Sequence, residues 1–174
     1  MRARELLATA VTGTKAILLE DASRHSEVVF SRVVPASIKH ETSTAFPAFV
    51  IQIDFADFEH VTGDRLALQA FDAGWVVLHE LDHIVNNSFD ADDAGEAGEC
   101  ENHINQMRRE CDLPERSEYF FTLLPLVSDS VFITRFVRLA FKQDLAGDKK
   151  RYWLLWDASL VGGLDQHKQL AAVR

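Results

Sequence analysis

The sequence is poor in the residues that staple or interrupt a chain, with two cysteines, four prolines and eight glycines among its 174 residues. Those cysteines, Cys100 and Cys111, lie eleven residues apart in one predicted helix. Three helical turns put them on one face roughly 16 Å apart, too far for a disulfide. They read as two reduced, core-facing thiols; a thiol-based metal site would need closer spacing and more partners. No run of about eighteen apolar residues exists, so no membrane-spanning helix is expected. Nor does a secretory leader open the chain: Met1-Arg2-Ala3-Arg4-Glu5 precedes a short apolar stretch cut by Thr12, Gly13, Thr14 and Lys15. The expected compartment is a reducing cytoplasm, with signal-independent export or release from a larger polypeptide as alternatives. Positive charge is also in deficit, 18 Lys and Arg against 27 Asp and Glu, a net charge of -9. That balance argues against nucleic acid and anionic membrane as partners. Internal repeats, low-complexity tracts and linkers are absent too, so residues 1–174 are read as a single domain.

What is present is a core-forming composition, 47% hydrophobic and 26% charged, long enough to fold without disulfides or a structural metal. Residues 1–20 predict a short helix with a stripe of Leu6, Leu7, Ala10 and Val11, then a turn near Gly13. Val28 to Val34 predicts a strand stopped by Pro35. Phe49, Ile51, Ile53 and Phe55 alternate with Gln52, Asp54 and Ala56, the period of a half-buried strand. Residues 65–86 predict one helix, from Leu68, Phe71, Trp75, Leu78 and Val85, stopped at Asn86-Asn87-Ser88. An acidic loop from Phe89 to Gly98 leads to a second helix, Glu99 to Cys111, with Cys100, Ile104, Met107 and Cys111 as core candidates. Residues 131–142 and 151–156 predict a hairpin around Asp144–Asp148. Trp75, Trp153 and Trp156 read as core aromatics, and His25, His40, His60 and His167 as surface residues.

The chemistry-bearing motif is His79-Glu80-Leu81-Asp82-His83. Two histidines four apart share a helix face, and their imidazoles can converge on one Zn²⁺. Glu80, rotated by about 100° from His79, is placed to act as general base on water rather than to ligate. A catalytic zinc site needs a third protein ligand. The positions that would carry Gly and His in the metzincin pattern are Asn86 and Phe89, which excludes that subclass. The acidic loop offers Asp90, Asp92 and Asp93, but carboxylates of a flexible loop are commonly only solvated. The second helix offers Glu96, Glu99, Glu101 and His103. Glu99 leads, because it adjoins Cys100 and opens the helix, where carboxylates are favoured; Glu101 is the reserve.

His79–His83, Gly98–Glu110 and the stretch Leu113-Pro114-Glu115-Arg116-Ser117-Glu118-Tyr119 together resemble a group of bacterial zincin-like metallopeptidase domains of the effector and toxin type. The resemblance covers roughly residues 70–120. It implies an α+β zincin-like fold, with the His-Glu-x-x-His helix and a second ligand-bearing helix on a small mixed or antiparallel sheet, and a C-terminal hairpin. It implies a zinc-dependent hydrolase, a protease acting on a protein or peptide substrate, with His79, His83 and Glu99 as metal ligands. Asn105 and Arg109 would support the site or pack the helix. Asp112 stands where a glycine would end that helix, and Asp82 adds a negative charge expected to raise the proton affinity of Glu80. Tyr119, Arg116 and His103 are candidates for stabilising a developing oxyanion, Tyr119 foremost. A substrate peptide is expected to lie antiparallel to strand 49–55. The alternative is a non-catalytic metal-binding or pseudoprotease module.

Overall fold

A computed structural model describes residues 2–23, 25, 27–38, 46–93, 95–124 and 135–161. Among them the chain is α+β, with six helices and two sheets. None of the described helices is long and apolar enough to cross a membrane.

The first sheet contains β1 (Ala16–Asp21), β2 (Ser31–Ile38) and β3 (Phe46–Ile53) in the order β1-β3-β2. β1 runs parallel to β3, and β2 antiparallel to it. The alternation read over 49–55 is the alternation of β3, where Ile51 and Ile53 are buried. It ends earlier than expected. Asp54 accepts from the amides of Ala56 and Asp57, which caps a short helix α2 (Phe55–Glu59) and leaves Phe55 exposed.

Pro35 does not stop β2, which runs through it to Ile38. Phase explains why. The amide of Asp54 donates to the carbonyl of Phe30 at 2.9 Å, and the register pairs Ser31 with Ile53. Main-chain groups of Arg32, Val34 and Ala36 therefore face β3, whereas those of Val33 and Pro35 face the free edge, where a missing N–H breaks no ladder bond.

Helix α1 (Arg2–Thr12) packs on α4 (Ala73–Asn86) and α5 (Gly98–Glu110). The expected single helix over 65–86 is two, α3 (Arg65–Gln69) and α4. Asp72 leaves helical geometry at ψ 174° and accepts from the amide of Trp75, starting α4 afresh. α4 stops at Asn87, which is left-handed at φ 54°. α5 ends in a Schellman arrangement: the amide of Leu113 donates to the carbonyl of Arg108, and that of Asp112 to Arg109. Asp112, at φ 56°, occupies the place a glycine usually fills.

The second sheet joins β4 (Thr62–Gly63), β5 (Glu115–Arg116), β6 (Thr122–Leu123), β7 (Phe136–Leu145) and β8 (Asp148–Asp157). β7 and β8 form the expected hairpin, turning at Ala146 (φ 54°) and Gly147 (φ 93°). Residues 131–134 of the expected first strand lie outside the described residues. A last short helix, α6, spans Ala158–Val161.

Two apolar clusters hold these parts. Phe30, Phe71, Phe121, Phe141, Leu154 and Trp156 fill one behind the second sheet. Leu6, Ile51, Ile53, Ile84, Cys100 and Ile104 fill the other, between the first sheet and α1, α4 and α5. α4 contributes to both, Val76 to the first and Leu81 and Ile84 to the second. Of the three tryptophans only Trp156 is fully buried.

Candidate metal centre

The spacing of His79 and His83 places both imidazoles on one face of α4, and their Nε2 atoms approach to 3.1 Å. A third donor closes on them from the loop after α4. Oδ1 of Asp90 lies 3.1 Å from Nε2 of His79 and 3.3 Å from Nε2 of His83. Tetrahedral ligands held at about 2.0–2.1 Å from one cation stand about 3.3 Å from each other. Three donor atoms spaced at 3.1, 3.1 and 3.3 Å are thus one face of such a tetrahedron. Oδ1 of Asp90 is buried without a hydrogen-bond donor, a lone pair that a cation would satisfy. The site fits a metal ion. The Sγ of Cys100 belongs to the same group, all four donors lying within 4.8 Å of one another.

Each ring has a polar neighbour at Nδ1. Nδ1 of His83 donates to the carbonyl of Ser88 at 2.9 Å, which leaves Nε2 free to bind. Nδ1 of His79 faces Oε2 of Glu101 at 3.3 Å. Glu101, 1% exposed, is itself held between the guanidinium groups of Arg108 and Arg116. Charge follows from this geometry. Burial disfavours charge on both imidazoles, but Asp90 and Cys100 outweigh it for both, joined by Glu101 at His79, so His79 is pushed well above its ordinary value and His83 up to about 10. Asp90 is held well below the carboxylate range: burial opposes this, and its two histidine partners prevail. A cation bound there would compete with protons for the ring nitrogens.

Asp90 is no solvated loop carboxylate, because its loop is pinned at several points. The carbonyl of Phe89 accepts from the amide of Cys100 at 3.0 Å, and the carbonyl of Glu96 from Tyr119 at 2.8 Å. The hydroxyl of Ser88 donates to Oδ2 of Asp82 at 2.6 Å. Gly98, at φ +80°, lets α5 begin against the loop; a Cβ there would stand 2.4 Å from the amide nitrogen of Ala91 and 2.7 Å from the carbonyl carbon of Asp90.

Compared with protein-family models, curated proteins and solved structures, the chain matches none of them.

The structure redistributes the expected roles. Glu99 is exposed, lines a separate surface groove with Glu96, Asn102 and His103, and is not part of the His79, His83, Asp90 and Cys100 group. At the start of α5, Glu99 faces outward, whereas Cys100 and Glu101 face α4. Glu101 reaches a ring nitrogen instead of the cation position. His103 lies 2.8 Å from Oδ2 of Asp82 and does not face the cluster. Asp82, fully buried, accepts from Asn86, Ser88 and His103, so its charge is occupied in fixing the loop. Arg116 is committed to the carbonyls of Glu118 and Tyr119 and to Glu101, which makes it a positioning residue. Asn105 is buried and bonds both main-chain groups of Arg116, at 2.8 Å each, while Arg109 forms an exposed ion pair with Glu115. Cys111 is exposed and Cys100 buried, so the two thiols do not share a core face. The distance of Cys100 from the histidines in sequence gave no sign that it joins them.

Glu80 and Tyr119 do lie at the cluster. Glu80 accepts from the hydroxyl of Ser31 at 2.5 Å. The ring of Tyr119 stacks on His79, with centroids 6.1 Å apart and planes 18° apart. Burial and the charge of Asp90 push its phenol above the ordinary value, so the hydroxyl keeps its proton and can donate. Glu80, His83, Asp90 and Tyr119 line an open cleft with Ser31, Val33 and Phe89. His25 and His60 are on the surface, and His40 and His167 lie outside the described residues.

Proposed function

We propose that the chain is a zinc-dependent metallopeptidase with a zincin-like arrangement, its metal held by His79, His83 and Asp90. The observation that carries this reading is the triangle of donors at 3.1, 3.1 and 3.3 Å, beside a glutamate that is not one of them. Bound there, zinc would polarise a peptide carbonyl and acidify a water molecule. Glu80 would take the water's proton as it attacks the carbonyl carbon and hand it to the leaving amine. Ser31 holds the Glu80 carboxylate for both transfers. Tyr119 would donate a hydrogen bond to the carbonyl oxygen as that atom gathers negative charge.

The substrate strand would lie on β2 rather than β3. β3 is paired on both sides, whereas β2 is an edge strand whose Ser31 and Val33 line the cleft beside Glu80. Between Ser31 and Pro35, only Val33 offers both an N–H and a carbonyl to the free edge, so a short extended segment would be held at one register.

The test combines metal analysis of the purified chain with incubation of the zinc-loaded form against a peptide library. Zinc at one equivalent, cleavage lost on chelation, and a Glu80→Gln variant that binds zinc without cleaving are expected. Full turnover by Glu80→Gln would remove the general-base assignment.

A non-catalytic metal-binding module is the second reading, and the nearness of Cys100 favours it. A fourth protein ligand would close the site. Cobalt substitution separates the two: a thiolate-to-cobalt charge-transfer band supports the closed site, and its absence the open one.

A further inference from the structure

A second cavity, of about 110 Å³, lies inward of the cleft and shares Ser31, Glu80 and Tyr119 with it. It has room for several waters or one side chain of moderate size. Its lining mixes apolar side chains, from Val29, Phe30, Phe71, Trp75, Val76 and Phe121, with the charged groups of Glu80, Glu101, Arg108 and Arg116. Arg108 is 2% exposed, with its guanidinium carbon 5.4 Å from the Trp75 ring centre. Its Nε donates to the carbonyl of Ala70, and its Nη1 to Glu101 and Asn105. Nη2 has no acceptor among the described residues. The guanidinium groups of Arg108 and Arg116 both face Glu101, and Glu80 also lines the cavity, so these four charged side chains balance. With a divalent cation on His79, His83 and Asp90, the charges of Glu80, Asp90 and Glu101 leave one positive charge in excess around the cavity.

We propose that this cavity is a specificity pocket for an acidic side chain of the substrate, a glutamate or aspartate next to the bond that is cut. The assignment rests on the proposed metal site for the bond cut and for the surplus charge, and on the cavity for the free donor. The apolar side chains take the methylenes, and Nη2 of Arg108 takes the carboxylate. A carboxylate supplies both an acceptor for Nη2 and the counter-charge; an aliphatic side chain supplies neither. A lysine adds a second surplus charge.

Two measurements on the zinc-loaded chain test this. The first is cleavage of a mixed peptide library read by mass spectrometry, in which acidic residues should be enriched at least tenfold over leucine at one position adjoining the cut bond. The second needs no turnover: calorimetric titration of the zinc-loaded Glu80→Gln variant with N-acetylglutamate amide and with N-acetylglutamine amide. The carboxylate should bind at least tenfold tighter. Arg108→Gln should abolish that difference. Because it also strips Glu101 of a partner, Val29→Phe serves as a second variant, narrowing the cavity while leaving the guanidinium bonds intact, and should weaken binding of the glutamate probe. Cleavage without acidic enrichment, or equal binding of the two amides, overturns the pocket and leaves the peptidase standing. Preferential binding of the glutamate probe with no peptide cleaved supports the pocket and overturns the peptidase.

Discussion

Oε2 of Glu101 stands 3.3 Å from Nδ1 of His79, the ring nitrogen that does not face Asp90. One carboxylate thereby faces a ring of the candidate metal centre while pairing with two buried guanidinium groups. Replacing it with glutamine removes both effects. Glu101→Gln is expected to weaken zinc binding by about 10- to 100-fold, read by competition with a chromophoric chelator. It should also cost about 3–5 kcal/mol of stability in urea denaturation, because Arg108 and Arg116 lose their counter-charge. Unchanged zinc affinity in the folded protein would show that Glu101 serves the core alone.

Asp90 and Glu99 make a matched pair of substitutions. Asp90→Asn removes a charged donor from the triangle and should lower zinc affinity by at least 100-fold, whereas Glu99→Gln should leave it within about twofold. The reverse order, measured by the same competition, would return the third-ligand role to the start of α5.

Gly98 is the hinge on which the Asp90 loop meets α5. Gly98→Ala forces a Cβ against main-chain atoms of Asp90 and Ala91 in a left-handed conformation, and neither is the movable end of a side chain. A loss of about 1–3 kcal/mol is expected, together with weaker zinc binding as Asp90 shifts. Gly95→Ala, where a Cβ meets nothing within 4 Å, is the control for glycine loss in the same loop. Equal zinc affinity in the two variants would sink this account of the loop.

Asp82 should act at a distance through Ser88. Asp82→Ala leaves the Ser88 hydroxyl, the Asn86 amide and His103 without their acceptor, at a cost of about 1–3 kcal/mol. Because the carbonyl of Ser88 fixes the ring of His83, zinc affinity should fall as well. His103→Gln, which leaves Asp82 bonded to Ser88, should keep most of that affinity.

Away from the metal centre, Asp57 makes stability depend on pH. Burial pushes its carboxyl up from 3.8 to about 6, against the pull of the Phe30 amide that donates to it at 2.8 Å. The folded chain then binds this proton more tightly than the unfolded chain does. The contribution to stability is complete below about pH 4 and is lost as pH rises through about 6. Denaturation of the wild type and Asp57→Asn from pH 4 to 7 should show the stability difference shifting in favour of the variant as pH rises. A constant difference across that window would refute it.

His79, Glu80 and His83 were legible because four-residue spacing on a helix fixes which side chains share a face, whatever the rest of the fold does. The central strand β3, helix α5 and the β7–β8 hairpin were legible for the same reason: each carries its periodicity or turn chemistry within its own few residues. Tertiary structure decided which acidic residue faces the two histidines. Asp90 and Glu99 are both acidic residues of one polar stretch, and only the pinned loop and the way α5 packs on α4 turn the first inward and the second to solvent. It also decided that Pro35 lies within an edge strand, that Asp82 holds a loop, and that Cys100 sits beside two histidines some twenty residues earlier. Short-range pattern constrains direction along one element. Convergence of several elements on a point depends on how their faces pack, and no local spacing encodes that.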